Sequence, residues 1–202
     1  MDTKPSLARR VLLGVASAAL ALSVCACGNS GPKAEDQVRT MVDNTMAIFK
    51  NPSSENISNY IDDETASALD QYGIDLSDFL GHAFKNLTYT IDEVSVDGDT
   101  ANVKMTITNV NLDEAMDAAL AEFDKWSDTD EAMKLYQDEG QDGLYKKLFD
   151  LLYEQIDVLG DGGTKTTEAT LYLAKQEDGS WDITNDDDNS DFYAALYGGA
   201  TF

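Results

Sequence analysis

Residues 101–108 have the sequence ANVKMTIT, in which apolar and polar side chains alternate without a fault. The four apolar residues, from Ala101 to Ile107, therefore lie on one face of an extended strand, and the polar residues lie on the other. This period is typical of an antiparallel strand that packs one face against a core and exposes the other to water. We expect the rest of the chain to be organised around this half-buried strand.

The preceding residues, 87–100, have the sequence LTYTIDEVSVDGDT and predict a partner strand and a tight turn. A two-residue loop, either Asp97-Gly98 or Gly98-Asp99, brings Val94 and Val96 opposite the apolar face of the second strand. Apolar residues before position 92 would point to the opposite face of a regular strand from Val94 and Val96. A one-residue bulge at Asp92-Glu93 returns them to the same face. The stretch therefore predicts a curved antiparallel hairpin that needs helices to cover one face.

A second hairpin is predicted near the carboxyl end of the chain. Apolar residues alternate from Ala169 to Leu173 and again at Trp181 and Ile183. A three-residue loop at 177–179 pairs Leu173 with Ile183 and puts Gly179 where a positive φ is favoured. The four predicted strands lie near residues 87–96, 101–110, 166–175 and 180–184.

Helical periods of apolar residues precede the first hairpin and separate it from the second. Asp75 and Asn111 stand just before two of these periods and are predicted to be N-caps. The predicted helices are residues 34–50, 57–72 with a break at 62–64, 76–84, 112–126 and 144–159, with a last helical turn at 192–197. The sequence thus predicts an α+β fold in which a curved, four-stranded antiparallel sheet of two hairpins packs against several helices.

The first 30 residues carry the most specific signal in the chain. A basic stretch with Lys4, Arg9 and Arg10 precedes an uncharged apolar run at residues 11–24, which has the length of a signal peptide core and is short for a spanning helix. The segment VCACGNS at residues 24–30 follows, and it resembles a bacterial lipoprotein signal, with an aliphatic residue three positions before Cys27 and small residues on either side. Cys25 fits that pattern less well because bulky Val24 stands just before it.

This resemblance implies that Cys27 receives a diacylglyceryl group with acyl chains such as palmitate, and that it becomes the new amino terminus after cleavage. Two acyl chains anchor a protein stably to a membrane. The expected organisation is a signal peptide at residues 1–26, a lipidated cysteine and short tether at 27–33, and one α+β domain at 34–198. The expected location is outside the cytoplasm, on the cell membrane. Cleavage leaves no cysteine in the folded domain, so no disulfide or thiolate site is expected there.

The charge of the chain excludes some classes of partner. Against 14 basic residues there are 38 acidic ones, which gives a net charge of −24. Phosphates of nucleic acids and anionic lipid headgroups repel such a surface, so we expect no nucleic-acid binding and no membrane contact beyond the lipid anchor.

Few residues of the sequence indicate catalysis or metal binding. His82 is the single histidine, and we expect it to be exposed on its helix near Asp78. Without a second histidine or a mature cysteine, the usual zinc sites and Cys–His catalysis are absent. Calcium-loop spacings that begin at residues 138 and 186 lack the required glycine or glutamate, although a looser carboxylate site at 186–191 stays open. We predict no catalytic residue, no metal ligand and no cofactor.

The mature region resembles small exported lipoproteins of unknown function with a cystatin-like or nuclear-transport-factor-like α+β fold. The amino-terminal helix, the hairpin at 89–108 and the strand DGSWDI at 178–183 carry this resemblance. It implies a bent sheet that wraps around helices to form a cone. Some members of that fold bind or transform small apolar molecules, and others only bind proteins. The long helical block at 112–159 departs from the simplest form of the fold.

Three functions follow from these observations. The first is a non-enzymatic binding or accessory module for a protein or a small apolar ligand, which is recognised by the concave face of the sheet or by the helical block. Tyr145, Tyr153 and Trp126 are candidates to line such a site. The alternatives are a small-molecule enzyme that uses a buried carboxylate in a cone-shaped pocket, and a structural or stress-related envelope protein.

The face of the sheet on which the acidic residues lie decides whether one of them could serve as a general base. A general base in the cone requires an Asp or Glu on the inward face of a strand. Asp99 lies beside a turn, and Glu168 and Asp182 are predicted on the outward face. We therefore favour the binding module over the enzyme.

Overall fold

The computed structural model describes residues 33–53, 67, 70–184 and 187–199. The predicted signal peptide with Cys27, most of the predicted helix at 57–72, and Asp186 lie outside these residues. The described elements, in chain order, are α1 (Ala34–Lys50), α2 (Leu76–Ala83), β1 (Thr88–Asp97), β2 (Thr100–Val110), α3 (Leu112–Ser127), α4 (Asp130–Leu159), a 3₁₀ turn (Gly160–Gly163), β3 (Thr164–Lys175), β4 (Trp181–Ile183) and α5 (Ser190–Leu196). The predicted fold class is confirmed: helices pack against a curved, open, four-stranded antiparallel sheet.

The first hairpin has the predicted bulge and one of the two turns that the sequence allowed. Asp97 pairs with Thr100, so the loop is Gly98-Asp99, and Gly98 has a φ of 62°. Only a residue without a Cβ adopts that φ readily, which explains a glycine at this position. The register shifts between Ile91 and Glu93, as the parity of the flanking apolar residues predicts. This bulge bends β1 and turns the apolar side chains on both sides of it toward the core.

The sheet has the strand order β1-β2-β3-β4. Leu173 pairs with Ile183, and the amide of Gln176 donates to the carbonyl of Ser180 at 2.8 Å, which confirms the predicted loop. The third strand begins two residues earlier than predicted, because its pairing with β2 extends to Val110 and Thr164.

The inner face of the sheet forms one side of the core. The alternating residues of β2 and β3 that were predicted to point inward are almost completely buried, including Val103, Ile107 and Leu171. Apolar side chains of α1 and α5, among them Val42 and Phe192, are buried in the same cluster. The other face of the sheet carries polar side chains, so β2 is a half-buried strand as its period predicts.

Helices α3 and α4 form a hairpin between the two halves of the sheet. The side chain of Asn111 accepts from the amide of Glu114, and that of Thr129 from the amide of Ala132, so each of the two helices begins at a side-chain cap. At Gly140, φ is 67° and ψ is −145°, which divides α4 into two helical segments that the sequence pattern did not separate. The segment after Gly140 contains the predicted helix at 144–159.

Two buried amides connect elements that are distant in sequence. The side chain of Asn109 donates to the carbonyls of Ala83 and Leu196, at 2.9 and 2.6 Å, and so joins β2 to α2 and α5. The side chain of Asn189 accepts from the amide of Tyr172 at 2.8 Å. Both amides are fully buried, where unsatisfied backbone groups would be costly.

Candidate functional site

The concave face of the sheet is filled by the protein itself. Val103, Met105 and Ile107 have at most 1% of their surface exposed, and the helices above them contribute Val38, Met46 and other apolar side chains to one cluster. Side chains that already pack against each other at this density leave no free surface for a partner. The helical block is therefore the better candidate of the two recognition surfaces that the sequence indicates.

A series of side-chain pairs joins the chain around α2 to the second segment of α4. Every fourth residue of α4 takes part, which places these residues on one stripe of the helix. The pairs, with ring-centroid distances for the aromatic ones, are Tyr72 with Tyr145 at 4.5 Å, Phe79 with Phe149 at 5.8 Å, His82 with Tyr153 at 4.2 Å, and the ion pair of Lys85 with Asp157 at 2.5 Å. We refer to these four pairs as the α2–α4 seam.

The position of His82 corrects the sequence prediction. The side chain was expected to be exposed, but it is 28% exposed and its ring stacks on Tyr153 with the ring planes 5° apart. Its Nδ1 atom is buried and has no hydrogen-bond partner among the residues that the structure describes, and its Nε2 atom lies 3.9 Å from a carboxylate oxygen of Asp78. The helical period of α2 alone could not reveal this contact, because the partner ring comes from α4.

Two ionisable groups of the seam, the hydroxyl of Tyr153 and the carboxylate of Asp157, have shifted pKa values. Burial, followed by the carboxylates of Asp78 and Asp150, raises the pKa of the Tyr153 hydroxyl well above its usual value. The hydrogen bond from Lys85 lowers the pKa of Asp157. A neutral phenol and a paired carboxylate make poor general bases near neutral pH. The seam is therefore a packing contact that fixes α2 on α4.

The three aromatic residues that were candidates for a site do not meet in one place. Tyr145 and Tyr153 lie two turns apart on the α4 stripe, and each packs on a different partner across the seam. Trp126 lies on α3, with its ring 5.5 Å from Phe123 and 5.7 Å from the ammonium of Lys147. These contacts indicate that the three rings stabilise the helical block separately.

Residues 120–147, the part of the α3–α4 hairpin nearest its connection, form a distinct region that we call the helical arm. Of these 28 residues only Ala132 and Gly143 are buried. Four of the six large apolar side chains that are exposed in the described part of the chain lie here, namely Leu120, Met133, Tyr136 and Tyr145. A concentration of exposed apolar side chains in one element is typical of a binding surface.

Met133 and Tyr136 are the most exposed of the four. They are 63% and 57% exposed and lie one helical turn apart in the first segment of α4. The apolar periods of the sequence do not predict this exposed pair. Tyr136 follows Ala132 by four residues and falls on the same helical stripe, so the pattern gives no signal that it is exposed. Met133 lies off that stripe.

The residues around this pair are strongly acidic. Six of the fifteen residues from 128 to 142 are acidic and one, Lys134, is basic, whereas 38 of 202 residues are acidic in the whole chain. All six carboxylates are exposed. None of them forms an ion pair within the part of the chain that the structure describes. The arm therefore combines an exposed apolar pair with unneutralised negative charge.

The acidic residues that bear on an enzyme or a cation site lie at the surface. Asp99 and Glu168 are exposed, and Asp182 is half-buried, with its pKa raised by that burial. Asp188 is exposed as well, whereas Asn189 beside it is buried and bonded to β3. Over the described residues, no group of three or more His, Cys, Asp or Glu side chains is placed to hold a metal ion.

Comparison with protein-family models, with curated proteins and with solved structures found no match for this chain. Among the described helices, none combines the length and the apolar content that crossing a bilayer requires.

Proposed function

We propose that this chain is a lipid-anchored, extracytoplasmic binding protein without enzymatic activity, and that it recognises a protein partner through the helical arm. The observation that carries the proposal is the pair of Met133 and Tyr136, which are large apolar side chains left exposed on neighbouring turns of one helix. The signal-like segment that ends at Cys27 supports the anchor and the location.

The position of α1 indicates which end of the domain an anchor at Cys27 would hold near the membrane. Arg39 donates to the carbonyl of Ile91, and Asp43 accepts from the hydroxyl of Tyr89 at 2.9 Å, so α1 runs antiparallel to β1. The amino end of α1 therefore lies toward the Gly98-Asp99 turn. Six residues lie between Cys27 and Ala34. The distance between those two Cα atoms is at most about 25 Å when the chain is extended. An anchor at Cys27 would hold the turn end of the sheet near the membrane.

The helical arm is rooted at the other end of the sheet. Helix α3 follows Val110 directly, and α4 returns through the 3₁₀ turn to Thr164, which pairs with Val110. This is the end of β2 and β3 opposite the Gly98-Asp99 turn. An anchored protein would therefore join its arm to the sheet on the side away from the membrane, where a partner has access.

Two measurements test the proposal. Mass spectrometry of the amino-terminal peptide from membranes of the producing bacterium should find acyl chains on Cys27. A photo-crosslinking amino acid placed at position 133 or 136 should yield a covalent adduct with another protein in intact cells. The same amino acid at Asn102, which is exposed on the outer face of β2, is the control.

Acylated Cys27 with adducts at 133 and 136 but not at 102 supports both parts of the proposal. An unprocessed amino terminus would contradict the anchor. Equal adducts from all three positions, or none from the arm, would contradict recognition by the arm.

A further inference from the structure

We propose that the segment recognised by the helical arm is cationic and amphipathic, a lysine- or arginine-rich stretch of another protein that carries apolar side chains. This inference rests on the proposed function and specifies the chemistry of the partner. The apolar component of the partner is required by Met133 and Tyr136, whose exposed surfaces gain most from burial against other apolar groups.

The charge of the partner follows from the residues that surround the pair. Asp130 lies one turn before Met133, and Glu139 lies one turn after Tyr136. Because these side chains have no cation beside them within the described structure, an arriving lysine or arginine would be their first close counter-charge. Complementary potentials of this kind steer association and exclude partners of like charge.

Other occupants fit the arm less well. Nucleic acids and anionic membranes would bring further negative charge to residues 128–142, which include six carboxylates and one lysine. A second copy of the arm would place like charges against each other and is disfavoured for the same reason. A purely apolar ligand would leave these carboxylates without a partner.

The test uses the full-length protein and a synthetic peptide of lysine and leucine whose leucines lie on one helical face. Two further peptides serve as probes, one with glutamate in place of lysine and one with serine in place of leucine. We expect binding of the lysine–leucine peptide alone, with the amide NMR shifts of residues 128–142 as the readout of position.

Two comparisons of variants distinguish binding of the peptide at the helical arm from nonspecific attraction to the negative net charge of the protein. The double change Met133→Ser and Tyr136→Ser should weaken binding about tenfold or more, as loss of a central apolar contact does. Val158→Ser, which removes an apolar side chain that is 76% exposed outside the arm, should leave binding unchanged.

The charge variants form the second comparison. The triple change D138N, E139Q and D142N should weaken binding. The triple change D97N, D99N and E177Q at the two turns should not, although both triples remove three charges.

Equal weakening by the two triples would overturn the proposal, because the attraction would then depend on net charge alone. Equal binding of the lysine–serine peptide, or no binding of the lysine–leucine peptide, would overturn it as well. If the arm crosslinks to a protein in cells but does not bind the lysine–leucine peptide, the inferred partner chemistry fails and the proposed function stands. If the arm forms no crosslink, the proposed function fails.

Discussion

The imidazole ring of His82 lies parallel to the phenol ring of Tyr153, with the two centroids 4.2 Å apart and the planes at 5°. Helix α2 has eight residues, too few to be stable in isolation, so its position depends on contacts of this kind. The stack lies between the pair of Phe79 with Phe149 and the ion pair of Lys85 with Asp157. The seam therefore fixes α2 on α4 at several successive points.

A double-mutant cycle tests the stack. We expect the changes His82→Ala and Tyr153→Ala to be coupled by about 0.5–1.5 kcal/mol in the free energy of unfolding, since an aromatic pair contributes that much beyond the area it buries. Denaturant unfolding measures the coupling. His82→Ala combined with Tyr145→Ala is the control, and these two changes should be additive because Tyr145 packs on Tyr72. Coupling of equal size in both cycles would contradict the pairing.

A carboxylate on the inner face of β2 should unfold the domain. Ile107 is fully buried, so Ile107→Asp is expected to cost about 4 kcal/mol or more, a large part of the stability of a typical domain. Circular dichroism and thermal unfolding would show the loss. Asn102→Asp on the exposed face of the same strand should change stability little. Thr106→Asp is a poorer control, because Thr106 donates to Asp92 and a second carboxylate there would be repelled.

The amide of Asn109 should be irreplaceable in its two hydrogen bonds. Asn109→Ala is expected to cost about 2–4 kcal/mol, because it leaves the buried carbonyls of Ala83 and Leu196 without donors. Asn109→Asp should cost more, since a carboxylate cannot donate and is repelled by both carbonyls. Asn102→Ala should cost little. A neutral result for Asn109→Ala would mean that water replaces the amide.

The stability of the domain should fall in alkaline solution partly through Tyr89. Burial, then the hydrogen bond to Asp43 and the charge of its carboxylate, raises the pKa of Tyr89 from 10.0 to about 12. A raised pKa contributes stability that is complete below the unfolded pKa and is lost as the pH rises through the folded value. The loss therefore occurs between about pH 10 and pH 12.

Unfolding of the wild type and of Tyr89→Phe across this pH range measures that contribution. Tyr153 and Tyr197 also have raised pKa values and add losses of the same sign, so the difference between the two proteins isolates Tyr89. Asp43→Asn should reduce the difference without abolishing it, because burial is the largest cause of the shift. Identical alkaline behaviour of wild type and Tyr89→Phe would contradict the assignment.

Local sequence patterns were sufficient to predict the strands and the faces on which their side chains lie. The alternation from Ala101 to Ile107 assigns each residue of β2 to a face, and a slip of one residue would expose all of its apolar side chains. The choice between Asp97-Gly98 and Gly98-Asp99 for the first loop came from the structure. The change of face around Asp92 predicts the bulge, and the 177–179 loop sets the register of the second hairpin. Each of these features depends on neighbours within a few residues, so the order of residues alone specifies it.

Contacts between helices, and the surface that they leave exposed, required the tertiary structure. His82 has no signal in its own helix that predicts Tyr153, because the angle at which α4 crosses α2 decides whether the rings meet. In the same way, Met133 and Tyr136 lie between the predicted helices, and only the structure shows that both are on a helix with their side chains exposed. The sequence by itself determined the strands and their buried faces because strand periods and turns are local, whereas the pairing of β2 with β3 joins distant residues and came from the structure. Tertiary packing decided the seam and the helical arm, because burial is a property of whole elements packed together.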